Sequence, residues 1–173
     1  MARYKNNLKL DIVTLPNPLL RKKSKDLKIS EIKNDSFKEL IKEMAILMEE
    51  YKGVGLSAVQ VGVPKNFFIV KKDFDKEDEQ NPSENVEVYI NPIITEQSQE
   101  KVESWEGCLS IPGIECLVER AKKIKVTYIN MEGNIVQEGI EDFRAIVFQH
   151  EYDHTKGILI IDKAKETKNI VQR

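Results

Sequence analysis

No run of this chain is apolar over the ~20 residues a membrane-spanning helix requires, and Met1 to Asn7 lacks the apolar core of a secretory signal. Neither a membrane protein nor a secreted one is therefore expected, and a cytoplasmic location is. Cysteine is nearly missing. The two present, Cys108 and Cys116, stand eight positions apart, so there is no C-x-x-C pair for redox work or structural zinc, and no framework of disulfides. Charge of one sign is missing too: 27 basic against 29 acidic residues leave a net charge of −2, with no electrostatic footprint for nucleic acid. The basic run Arg21-Lys22-Lys23 has acids nearby and reads as solvated surface. No internal repeat breaks the chain, and 173 residues with 40% hydrophobic and 32% charged side chains suit one globular domain over 1–173.

Histidine is the scarcity that informs most. There are two, and both fall in His150-Glu151-Tyr152-Asp153-His154. On a helix, imidazoles four apart project from one face and can grip one metal ion, and a glutamate next to the first can take a proton from a water the ion activates. Phe143, Ile146, Val147, His150 and His154 follow helical spacing, which predicts that the ligands continue an apolar stripe into the interior. Glu141 and Asp142 suit the helix start and Gly157 its stop. A catalytic site of this kind usually takes three protein ligands. The third is a cysteine or a carboxylate. Cys108 follows Gly107, which allows close backbone approach to a ligand. Glu166 and Asp162 are the downstream carboxylates of the rival reading, a metallopeptidase. Cys116, within Ile114-Glu115-Cys116-Leu117-Val118, reads as a small buried hydrophobe.

The remaining pattern is α+β. Ser36-Phe37-Lys38-Glu39 reads as a capping box opening a helix whose apolar face is Phe37, Leu40, Ile41, Met44, Leu47, Met48 and Tyr51, ending at Gly53. Residues 67–70 and 86–90 read as strands. The intervening 71–85, dense in Asp, Glu and Lys, reads as a solvated loop without chemistry of its own. Ile124, Val126 and Tyr128, then Glu132-Gly133-Asn134 and Ile135-Val136, read as a hairpin. Strands are expected to wrap a central metal-bearing helix. A buried Asp153 needs a partner, and Arg120 is the expected one.

Three segments together resemble the signatures of the peptide deformylase family. Gly53-Val54-Gly55-Leu56-Ser57-Ala58-Val59-Gln60 is similar to G-x-G-L-A-A-x-Q, with Ser57 for the first alanine. Glu106-Gly107-Cys108-Leu109-Ser110 matches E-G-C-L-S, and Gln149 to His154 matches Q-H-E-x-D-H. Residues 15–21 look like the family's N-terminal segment. The resemblance implies Cys108, His150 and His154 as metal ligands, Glu151 as general base and acid, and Gln60 with the backbone N–H of Leu109 as oxyanion donors. It also implies Fe2+ as the working ion, with Zn2+, Ni2+ or Co2+ as substitutes. The implied reaction is hydrolysis of the N-formyl group from the N-terminal methionine of new polypeptides, releasing formate. The implied partners are N-formylmethionyl nascent peptides and the ribosome that carries them, and a monomer is expected. Gly53, Gly55 and Gly107 would let an extended peptide pair with bare backbone. Val54, Phe143 and Val147 would form the methionine pocket, and Glu106 would bond the substrate backbone or hold the loop. Two departures stand out: Thr155 replaces a leucine, and Glu115 lies where several relatives carry a basic residue. With 19 residues after His154, ribosome docking through a long C-terminal helix is not implied. A deformylase-fold binding protein without activity is the other alternative; Glu151, Gln60 and the ligands, which such a relic loses first, are all present.

Overall fold

The structure, a computed structural model, describes residues 10–75 and 81–170. A short helix, α1 (Ile29–Ile32), is followed by a long one, α2 (Asp35–Glu50). The cap of α2 is Asn34 rather than Ser36: its backbone is extended and its side chain accepts the Ser36 N–H. Capping needs an acceptor on a residue still outside the helix, and Ser36 is already inside it. Phe37, Ile41, Met44, Leu47 and Met48 are buried as the spacing predicts. Tyr51 is not: it caps the C-terminus and stands 48% exposed.

Among the described residues the eight strands all pair antiparallel. One sheet runs β1 (Gly55–Ser57), β2 (Phe67–Lys71), β3 (Val86–Gln97), β6 (Lys123–Ile129), β7 (Ile135–Glu141). A second runs β4 (Lys101–Cys108), β5 (Ile111–Ala121), β8 (Glu166–Asn169). Strand β2 is buried along its whole length because alternate residues serve two cores. Phe67 and Ile69 join the cluster over α2, while Phe68 and Val70 join the one containing Val147 and Phe148. The β4–β5 hairpin escaped the sequence reading. Alternation signals a strand only where one face is apolar, and the protected positions of β4 include Ser104 and Glu106.

Helix α3 (Asp142–Thr155) lies across the first sheet. The stripe read from the sequence is wrong in part. Phe143 is 51% exposed, whereas Ala145, Val147, Phe148, Gln149, Glu151, Asp153, His154 and Thr155 are all buried. The helix is embedded on most sides, so burial cannot follow a single apolar stripe. Phe148 meets Phe68 and Tyr89 edge-on, with ring centroids 5.0 and 4.9 Å apart. Gln149 receives the Ala121 N–H and donates to its carbonyl, stapling α3 to β5. Gly157, at φ 75°, ends the turn after α3. A Cβ there would come within 2.5 Å of the Arg21 carbonyl oxygen. The short α4 (Ile160–Lys163) then leads to β8.

Of the segment 71–85, residues 76–80 lie outside the described residues, and the rest is more than a solvated loop. Lys71 is buried and pairs with Glu49 at 2.7 Å, and Phe74 packs edge-on against Phe143.

Candidate active site

Four elements bring the site together. Helix α3 presents His150 and His154 one turn apart, and β4 ends at Cys108. Strand β1 passes against Glu151, and the single helical turn Ala58–Val61 holds Gln60. Nε2 of His154 lies 3.3 Å from Nε2 of His150 and 3.3 Å from Sγ of Cys108. Donor atoms bonded tetrahedrally to one ion at about 2.0–2.3 Å stand roughly 3.3–3.7 Å apart, so the spacing suits a mononuclear centre. Among the described residues this is the one group of three or more such donors close enough to share an ion. The carboxylates of the rival reading are elsewhere. Asp162 caps α4 by accepting the Leu159 N–H and pairs with Arg21, and Glu166 is exposed on β8.

Glu106 on β4 bonds to Arg120 on β5 and to His150 on α3. Both its oxygens are taken: Arg120 donates to Oε1 from Nε and to Oε2 from Nη2, each at 2.8 Å. Oε2 also faces His150 Nδ1 at 2.9 Å. Three of the carboxylate's roughly four lone-pair directions are taken within the protein, which leaves little for a substrate backbone. Glu106 instead sets the imidazole with its proton on Nδ1 and its lone pair on Nε2, the tautomer a metal ligand needs. Burial alone would raise the Glu106 pKa, but the hydrogen bonds from Arg120 and His150 prevail and hold it at about 2. Arg120 also donates to Asp153 at 2.5 Å, the expected pair, and Lys163 reaches the same carboxylate at 2.8 Å. Glu106 was the residue the sequence left ambiguous. Its position facing Cys116 across the β4–β5 ladder, two residues before Cys108, decides it.

Glu151 is 4% exposed, and its Oε2 has no hydrogen-bond partner. Burial lifts its pKa to about 7, where a carboxylate can both accept and return a proton. Gly55 is what lets it lie there, since a Cβ at Gly55 would sit 2.7 Å from Glu151 Oε1. The space beside Gly53 is likewise filled, by Met48 and Leu109. Of the three glycines read as bare backbone for a substrate, only Gly107 faces open space, with nothing nearer than Glu115 Cγ at 4.0 Å. Ser57 donates its hydroxyl to the Glu151 main-chain oxygen, which gives the alanine-to-serine departure a purpose in joining β1 to α3.

Gln60 is 2% exposed. Its Oε1 accepts the Ser57 N–H, which turns Nε2 toward Ser110 Oγ at 3.2 Å and Cys108 Sγ at 3.7 Å. Burial keeps His154 neutral, and its Nδ1 is unpartnered. His150 also suffers from burial, but hydrogen bonds to Cys108 and Glu106 outweigh it and raise its pKa to about 10. Val54 and Val147 pack in the same cluster, Val147 buried and Val54 partly so, while Phe143 stands at its rim. Cys116 is fully buried, as read. Glu115 pairs with Lys168 at 2.7 Å.

A cysteine sulfur and two imidazoles, with an unpartnered oxygen of a buried glutamate beside them, make the donor set of a metallohydrolase. The polypeptide deformylase family profile matches residues 9–169, and the chain belongs to that family. The peptide deformylase of Leptospira biflexa is 42% identical over 160 residues, covering 91% of this chain and 88% of its own length. That of Thermotoga neapolitana is 41% identical over 157 residues. Among solved structures, the Thermotoga maritima enzyme superposes with a TM-score of 0.79 at 39% identity, covering 91% of this chain and 98% of the other. The Plasmodium falciparum enzyme gives 0.82 at 37%, covering 90% and 87%. The Acinetobacter baumannii enzyme with Met-Ala-Ser bound gives 0.80 at 32%, covering 89% and 97%. The activity is removal of the N-formyl group from nascent peptides. No described helix is long and apolar enough to cross a membrane.

Proposed function

We propose that residues 1–173 act as one catalytic domain in which Cys108, His150 and His154 hold a single divalent ion, Fe2+ in the working enzyme, with Zn2+, Ni2+ and Co2+ able to replace it. When bound, such an ion supplies Lewis acidity toward a carbonyl oxygen and toward water. Glu151 Oε2 takes the proton from the water that attacks the formyl carbon. It then delivers that proton to the departing amine nitrogen, so that formate and a free N-terminal methionine result. Gln60 Nε2 and the Leu109 backbone N–H donate to the formyl oxygen as its negative charge grows. The formylmethionyl peptide lies extended between the edges that β1 and β4 leave at the ends of their sheets, with Gly107 supplying unobstructed backbone. Its methionine side chain enters the space bounded by Val54, Phe143 and Val147. The A. baumannii relative, with Met-Ala-Ser bound, supports a peptide of this kind. Nascent chains are met at the ribosome by a monomeric, cytoplasmic enzyme.

The observation that carries this reading is the unpartnered Oε2 of a buried Glu151 whose helix also carries both imidazoles. The test is Glu151→Gln assayed for formate release from a formylmethionyl peptide. It should retain its metal and lose about 10²–10⁴-fold in turnover. A metal-loaded variant with full activity would remove Glu151 from the reaction.

A further inference from the structure

Phe74 lies in the polar segment after β2, far in sequence from every motif, yet its ring meets that of Phe143 edge-on with centroids 4.9 Å apart. It packs against the cluster that also includes Val54 and Val147. The backbone just before it is pinned to Asn85. Lys72 N–H donates to the Asn85 carbonyl at 2.9 Å, Asp73 N–H donates to Asn85 Oδ1 at 3.2 Å, and Asn85 Nδ2 returns to the Asp73 carbonyl at 3.4 Å. Phe143 is held as well. It follows Asp142, whose backbone turns at φ 55° and whose N–H donates to the Lys122 carbonyl. Phe143 nevertheless keeps half its surface open beside this edge-on contact.

The distances suit a methionine side chain. Phe143 precedes His150 by seven residues, which is about 10 Å along a helix. From formyl carbon to terminal methyl, formylmethionine spans six bonds, roughly 7 Å extended. A formyl group reacting beside His150 therefore brings its sulfur and methyl within reach of the aromatic pair. Thioethers favour aromatic ring edges.

We propose that Phe74 is a specificity residue: with Phe143 it forms the aromatic outer wall of the pocket for the substrate's first side chain, selecting a long, flexible thioether over short side chains. The proposal rests on assigning that pocket to Val54, Phe143 and Val147, and the test separates the two. Formyl-Met-Ala-Ser and formyl-Ala-Ala-Ser are assayed with the wild-type holoenzyme and with Phe74→Ala, Phe74→Leu and Phe143→Ala. The Phe74→Ala protein should lose about 3- to 10-fold of its preference for the methionyl peptide, through KM rather than kcat. Phe74→Leu, which keeps apolar bulk but no ring, should fall between. A preference unchanged in both Phe74 variants but lowered in Phe143→Ala overturns the role of Phe74 and leaves the pocket standing. A preference unchanged in all three overturns both. A fall confined to kcat and equal for the two peptides shows Phe74 to be structural, and overturns the proposal as well.

Discussion

Cys108 owes its role to its neighbours. A cysteine after glycine at a strand end is unremarkable, but Sγ lies 3.3 Å from His154 Nε2, and Gln60 Nε2 approaches it from another side. The second cysteine, eight residues on, is sealed among Leu20, Ile111 and Val118. The difference gives a direct expectation. Cys108→Ser should lose metal and activity together, since a neutral hydroxyl is a poor replacement for a thiolate. Cys116→Ser and Glu166→Ala should keep one ion per chain by elemental analysis. Loss of metal in Glu166→Ala with retention in Cys108→Ser would reverse the ligand assignment. At this scale the sequence was legible where chemistry demands a residue type, as for His150, Glu151 and His154. It was less so for Glu106, whose work depends on an arginine fourteen positions away.

Elements meet through a few buried charges. Arg120 on β5, 2% exposed, joins Glu106 on β4 to Asp153 on α3, and Lys163 on α4 closes the row. Arg120→Leu should therefore leave Glu106 with His150 alone and Asp153 with Lys163 alone, in a site that buries both carboxylates, costing about 3–5 kcal/mol. Urea denaturation of the metal-loaded protein would measure it, and a loss under 1 kcal/mol would mean the carboxylates find other partners. The same row explains why α3 resists reading as an amphipathic helix. Five of its eight buried residues are polar, so hydrophobic periodicity describes only the part facing Phe68 and Tyr89. Strand β4 was missed for a related reason, since the inward Glu106 is neutralised by its partner rather than being apolar.

For the molecule as a whole, the ion links folding, protons and oxygen. With His150 raised to about 10, the metal-free protein carries its imidazole protonated at neutral pH. Metal uptake then has to displace that proton, so affinity should rise as pH rises, and a weakly buffered solution should acidify on adding Zn2+. An iron form should lose activity in air, because a thiolate-ligated Fe2+ and Cys108 itself are both oxidisable. Zinc, having no redox chemistry, should be air-stable, and the slower catalyst. One apoprotein preparation loaded with Fe2+, Ni2+, Co2+ or Zn2+ and assayed side by side for formate decides it. An iron form indifferent to air and no faster than zinc would refute Fe2+ as the working ion.

The sequence by itself determined the candidate donors, the glutamate beside them and their order, because metal binding and proton transfer need particular functional groups at particular spacings. It also determined the long helix α2 and the β6–β7 hairpin, where local periodicity and turn chemistry suffice. Only the tertiary structure decided which carboxylate steers His150, why Gly55 has no side chain, and that Phe74 stands beside Phe143. Those are relations between segments far apart in the chain. They arise from which surfaces remain to be filled once the two sheets and α3 have packed, and no local pattern of residues encodes that remainder.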